Sequence, residues 1–335
     1  MTHRSTPTFK HRLLTAVTAA ALLLTGGLPA AHAADKIKLR LSASSSETDQ
    51  RAVAIMTKFA PAVAGFADFE PHWNSSLFKQ GTELEAIARG NLEMSIASAQ
   101  ELAVFIPEFS IFTAGYVMRD AAQQVAVFNA ALMTPFKKKA EEVLNIKLLT
   151  VMYLGRRQLN LRTTQKINTP ADMANVKLRM PGTDAWQFLG KALGASPVPM
   201  AFTEVYTGLQ TGAIDGQDNP LPTMVDKKFY EVTKQVILTS HLVDLNYIAI
   251  SKTVWDKLTP EQQRIVQKAA DDAADYGRVK QLEQEASLVD FIKKQGLEVH
   301  TPDVAAFRKR VQEAYLTSDY AKTWPKGLLE EINAH

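Results

Sequence analysis

The chain contains no cysteine. A disulfide scaffold, a Cys-ligated zinc or iron–sulfur centre, a thiol nucleophile and a lipid-modified N-terminal cysteine are therefore excluded. Glycine and proline are modest, 16 and 15 of 335 residues, too few for a collagen-like or low-complexity chain. Signatures of common catalytic sites are also missing: there is no G-x-S-x-G, no G-x-x-x-x-G-K-[ST], no G-x-G-x-x-G and no H-E-x-x-H. Of seven histidines, three fall within the first 33 residues, and His72, His241, His300 and His335 share no ligand spacing, so neither a metal nor another cofactor is expected. Only one long apolar run exists, Leu13–Leu24.

That run lies between a basic start (Arg4, Lys10, Arg12) and small residues ending Ala31-His32-Ala33, the tripartite pattern of a secretory signal. Thr15, Thr18, Thr25, Gly26, Gly27 and Pro29 interrupt it too often for a span of ~20 apolar residues. Residues 1–33 are read as a signal peptide cleaved near Ala33, which makes the protein exported and periplasmic. Removing it takes away three of the 38 Lys and Arg and none of the 35 Asp and Glu, so the formal charge falls from +3 to zero. No basic footprint for nucleic acid survives. With 46% hydrophobic and 22% charged residues, the remainder can build a full core, and its length predicts about two domains. A monomer is expected.

What is present reads as α/β, with short strand-like runs alternating with helical periodicity. Strands are predicted at Lys36–Ser44, Asp68–Asn74, Glu93–Ala99, Lys147–Gly155, Val176–Pro181 and Tyr247–Ser251. Thr82 and Glu85 read as a capping box closed off by Gly90. Thr203 reads as the N-cap of a short helix stopped by Gly212, and the following "AIDGQDNP" as a turn at a strand end. Thr259-Pro260-Glu261-Gln262 opens a helical pattern that runs to Gly296, interrupted only by Gly277, so it either bends there or crosses between two domains.

Several arginines stand near strand ends between Tyr153 and Tyr230, where a guanidinium suits bidentate capture of a carboxylate. The residues alone favour surface charges or interdomain salt bridges. In Gly155-Arg156-Arg157, extended neighbours point to opposite faces, so only one arginine can enter a cleft.

The pieces "LRMPG" at Arg179, "LGASPVPMAFTEVYTGLQTGAIDGQDNP" ending at Pro220 and "KFYEV" at Phe229 resemble the substrate-binding proteins of tripartite ATP-independent periplasmic (TRAP) transporters, of the C4-dicarboxylate- and sialic-acid-binding type. Weaker similarity extends through the first strand and the "TPEQQ" helix. The resemblance implies a two-domain hinged α/β binding protein with a long helix spanning both domains. One domain would be 34–155 plus 244–283, the other 156–243 plus 284–335. It also implies that Arg179 clamps a carboxylate, Asn219 orients the ligand, Phe202 lines the pocket and Arg157 gives a second anion contact. Arg156 is then left to solvent or a salt bridge. The loops "SASSSETDQ", "FKQGTELEA" and "SAQELAVF" offer Ser45, Gln80 and Gln100 as polar contacts. The implied partners are a small organic anion, either a sugar acid or a C4-dicarboxylate, and the small and large membrane subunits of a permease, with no enzymatic step. A secreted enzyme acting on an organic acid, and a receptor for an ATP-driven importer or a sensor kinase, are the competing readings.

Overall fold

The computed structural model describes residues 36–335, which form one compact unit. The expected signal peptide lies outside the described residues. Nine strands make one mixed sheet: β1 (Ile37–Ser42), β2 (Ala67–His72), β3 (Met94–Ser98), β4 (Ile146–Leu161), β5 (Lys177–Met180), β6 (Ser196–Pro199), β7 (Gly216–Pro220), β8 (Gln235–Ser251) and β9 (Glu298–His300). Their order is β2-β1-β3-β8-β4-β7-β5-β6, with β9 on β8.

The two longest strands organise everything else. The C-terminal part of β8, Asn246–Ile250, pairs with β3, whereas the C-terminal part of β4, Arg157–Leu161, pairs with β7. One sheet is thereby divided into a β2-β1-β3 half and a β7-β5-β6 half, joined only through the antiparallel β4–β8 ribbon. Strands of 16 and 17 residues are about three times the usual length. They are long because each serves both halves in turn.

The ribbon is irregular where it changes halves. Tyr153 pairs with Leu245 and Gly155 with Asp244, so Leu154 is an extra residue in β4, a bulge that re-aims the side chains after it. Gly155 sits at φ +130°, and a Cβ there would lie 2.5 Å from Glu285 Oε1 and 2.6 Å from Pro220 Cβ. Only glycine fits. Further on, Arg157 pairs with Leu242 and Leu159 with Ile237, so β8 bows out over Leu238–His241. The Gln158 amide ties that bow back, with Oε1 accepting from the Ser240 N–H at 2.8 Å.

The long helix runs unbroken from Pro260 to Lys294, roughly 52 Å at ~1.5 Å per residue. Its capping box forms as predicted, with the Thr259 hydroxyl accepting from the Gln262 N–H and Gln262 returning the bond. Gly277 neither breaks nor ends it. There the helix passes so close to a neighbour that a Cβ would sit 3.2 Å from that of Ala54. Val266, Ala269, Ala270, Ala273 and Ala274 join the core beneath β1 and β3, while Ile292 joins a separate core with Phe202, Val205 and Phe229. One helix thus serves both halves of the sheet. The C-terminal helices also touch both: the Trp324 indole donates to Ser110 Oγ at 2.8 Å and Arg310 Nε to the Ala192 carbonyl at 3.2 Å.

Three local expectations need correction. Thr82 gives no side-chain cap: Glu83, not a returning Glu85, accepts from the Gly81 N–H, and Glu85 pairs with Arg89 one turn on. The short helix spans Val205–Thr211 after a 3-10 turn at Phe202–Glu204, so Thr203 is inside the turn and not its cap, although Gly212 does end the helix at φ +80°. Most consequential, "GQDNP" is not a turn but the fully buried strand β7. Its turn-forming residues are held extended because β4 and β5 flank it, and Asn160 and Arg157 of β4 bond the Gln217 and Asp218 side chains.

Candidate functional site

Where the ribbon crosses between halves, a cleft of about 510 Å³, counting its mouth, opens between the two groups of strands. The β7-β5-β6 half contributes Arg157, Arg179, Pro181, Trp186, Phe202, Asn219 and Thr223. The opposite wall carries Ser44, Arg51, Gln80, Ile96, Ser98 and Glu101, and Leu154, Asp244 and Asn246 come from the crossing itself.

Arg157 and Arg179 are both buried, with 3% and 1% of their surface exposed, yet their surroundings differ. Arg157 Nε donates to Asp218 Oδ2 at 2.7 Å, Nη1 to Asp244 Oδ2 at 2.8 Å, and Nη2 to both the carbonyl and Oδ1 of Asp218. Four of its five N–H groups are committed. The guanidinium also lies over the Trp186 ring, 4.4 Å from its centroid. Burial opposes ionisation of Asp218, but the Arg157 charge and hydrogen bonds from His241 and Arg157 outweigh it and hold its pKa well below the usual range. For Asp244 the balance reverses, and burial raises its pKa despite Arg157. Asp218 is the principal counter-ion.

Arg179 has no carboxylate partner among the described residues. Its Nε donates to the Met200 carbonyl at 2.9 Å and Nη2 to Gln80 Oε1 at 3.4 Å, leaving three N–H groups uncommitted. Burial, with the Arg157 charge nearby, pulls its pKa down to about 9, so it remains a cation at neutral pH. The Phe202 ring lies 5.6 Å from the guanidinium carbon, and the Phe202 N–H donates to Gln80 Oε1 at 3.0 Å. Asn219 is held by its Nδ2 donating to Gln217 Oε1, two residues away on the same strand face.

Of the residues anticipated from sequence, Arg157, Arg179, Phe202, Asn219 and Gln80 meet in this cleft. Ser45 and Gln100 do not line it. Both are buried, and the Ser45 hydroxyl and both Gln100 amide atoms have no hydrogen-bond partner among the described residues. Ser44, Ser98 and Glu101, close to them in sequence, take the lining positions; Ser98 caps the helix Ala99–Phe105, in which Gln100 and Glu101 point in different directions around the axis. Arg156 is outside the cleft, its guanidinium donating to the Arg119 carbonyl at 2.8 Å and its N–H to Glu285 Oε1 at 2.6 Å. The period-2 choice between the two arginines holds.

Arg51, Trp186, Asp244 and Asn246 escaped sequence reasoning. Asp244 and Asn246 left a readable signal: two polar residues spaced by two within the apolar run "LVDLNYIAI". Arg51 is gripped by Asp49 through two bonds of 2.9 Å and reaches Asn246 Oδ1 at 2.8 Å. Outside the cleft, the walls also meet at Asp226, which accepts from the Ser46 and Thr48 hydroxyls, and where Lys227 Nζ donates to Asn74 Oδ1 at 2.9 Å.

The cleft lies between two halves of one sheet and holds a guanidinium with no carboxylate partner among the described residues. Residues 42–322 match the family model described as bacterial extracellular solute-binding protein, family 7. The chain belongs to that family. A solved TRAP periplasmic solute-binding protein from Roseobacter denitrificans, with bound 3-deoxy-D-manno-oct-2-ulosonic acid, is 67% identical with a TM-score of 0.89, covering 90% of this chain and 99% of its own. The sialic acid-binding periplasmic protein SiaP of Vibrio cholerae is 29% identical over 89% of this chain and 93% of its own length. The C4-dicarboxylate-binding periplasmic protein DctP of Rhodobacter capsulatus is 31% identical over 63% of each. This family 7 protein therefore shares the two-domain α/β fold of the TRAP receptors. Among its described residues no helix is long and apolar enough to cross a membrane.

Proposed function

We propose that this family 7 protein is a periplasmic receptor that captures a sugar acid of the 3-deoxy-oct-2-ulosonic type and hands it to a TRAP permease without altering it. The observation that carries the reading is Arg179: a buried guanidinium bonded only to neutral oxygens, with three N–H groups free inside a cleft. A ligand carboxylate would supply the missing counter-charge in a bidentate geometry. The bound acid of the 67% identical relative supports the ligand class. Phe202 would pack against the ligand and Asn219 would orient it. Arg157 can add only its one remaining N–H, so its part in anion binding is secondary.

The two halves, 36–155 with 244–283 and 156–243 with 284–335, are the moving bodies of this reading, with the hinge at the β4 bulge and Asp244. Gln80 bonding to Arg179 and the Phe202 N–H across the cleft supports a closed arrangement that ligand contacts would favour. Residues 1–33 would direct export. Calorimetric titration with 3-deoxy-D-manno-octulosonate is the test, with small-angle scattering of the same samples. Tight binding with a reduced radius of gyration is the expected result. Absence of binding refutes the ligand class, and binding without compaction refutes the hinge.

A further inference from the structure

We propose that Glu101 makes the cleft selective for acids with one carboxylate and a hydroxylated tail, and excludes diacids; this rests on the sugar-acid reading above. Two of the three arginines of the cleft have carboxylate partners within the protein. Arg51 is neutralised by Asp49, and Arg157 by Asp218 and Asp244. Two groups are left over: Arg179, without a carboxylate, and Glu101, without a cation. Among the described residues of the cleft, Arg179 is the arginine without a carboxylate, and it offers a place for one anion.

The Glu101 carboxylate is held in position from one side. Oε2 accepts from the Ser98 N–H at 2.8 Å, while the Ser98 hydroxyl accepts from the Glu101 N–H at 3.1 Å. Oε1 takes no hydrogen bond within the described residues, and Glu101 lines the cleft beside Ser44, Ser98 and Asn246. A ligand hydroxyl can donate to Oε1. A second carboxylate cannot: it has no proton to give to the Glu101 acceptor, and would be stripped of water with no free cation beside it to compensate.

The test compares acids that differ in this one respect. Galactonate carries a hydroxymethyl group where galactarate carries a second carboxylate, and 3-deoxy-D-manno-octulosonate serves as a longer monoacid. The quantity measured is the affinity of the tightest-binding monoacid divided by that of galactarate, in the full mature chain and in Glu101→Gln. Glutamine keeps an acceptor and remains a competent partner for the Ser98 cap, so the variant preserves the helix start. The wild type should favour the monoacid at least a hundredfold. Glu101→Gln should bind the monoacid within about tenfold of wild type and reduce the ratio at least tenfold. Glu101→Leu, without acceptor or charge, should lose monoacid affinity by about tenfold or more relative to Glu101→Gln. Octulosonate binding with a ratio unchanged in Glu101→Gln overturns this inference alone, as does wild type binding galactarate as tightly as a monoacid. If no monoacid binds, the sugar-acid reading fails and takes this inference with it.

Discussion

Arg157 and Arg179 stand on strands separated only by β7, are both buried, and border the same cleft, but their surroundings differ. Around Arg157 the protein has placed two carboxylates and committed four of five N–H groups. Around Arg179 it has placed a carbonyl, a side-chain amide and an aromatic face, all neutral. Burial does not separate an arginine the protein has neutralised from one left without a counter-charge. The separation lies in whether the protein itself provides the counter-charge.

The comparison breaks most directly at Arg157. Arg157→Met would leave Asp218 and Asp244 buried beside each other without a cation, which should cost about 3–5 kcal/mol of stability. Urea denaturation of the unliganded protein measures it, and a loss below about 1 kcal/mol would mean the two arginines are not different in kind. Arg179→Met is the converse. It should remove about 3–5 kcal/mol of ligand binding, two to three decades of affinity or more, while the unliganded protein stays as stable as wild type or gains stability. Arg179→Lys should bind nearly as poorly, since an ammonium cannot form the planar fork. Equal stability losses in the Met variants would erase the distinction.

The opposite wall sharpens the contrast through pH. Burial, reinforced by Glu101, pushes the Glu83 pKa up to about 8. Between the usual carboxylate range and about pH 8 the folded state then holds a proton that the unfolded chain has released, so stability falls as pH rises through that window. The decline should be on the order of a few kcal/mol across it, and Glu83→Gln should flatten the curve. A wild type whose denaturation midpoint rises from pH 5 to 8 through this group would contradict the assignment. Asn219→Ala, which removes one neutral hydrogen-bonding side chain from the Arg179 side, should weaken binding by about 0.5–1.5 kcal/mol in calorimetry without preventing closure. The smallest effect belongs to Arg156→Ala, with affinity unchanged and stability within about 0.5 kcal/mol. A larger loss of binding there than at Arg157 would mean that the strand faces are reversed.

The sequence by itself determined what is local in the chain. The first strand, the capped start and full run of the long helix, and the limit of one cleft-facing arginine in Arg156-Arg157 follow from periodicity, caps and the alternation of a strand, which depend on neighbours within a few residues, while the resemblance picked Arg157. Family motifs placed Arg179, Phe202 and Asn219 in one site. The tertiary structure decided the rest. It turned "GQDNP" into a buried strand, because a position between β4 and β5 outweighs turn propensity. It replaced Ser45 and Gln100 with Ser44, Ser98 and Glu101 as the lining. It also gave Arg157 carboxylate partners 61 and 87 residues away, and Arg179 none among the described residues. Charge compensation acts across space, and only the order of strands in the sheet settles which carboxylates come within reach of which arginine.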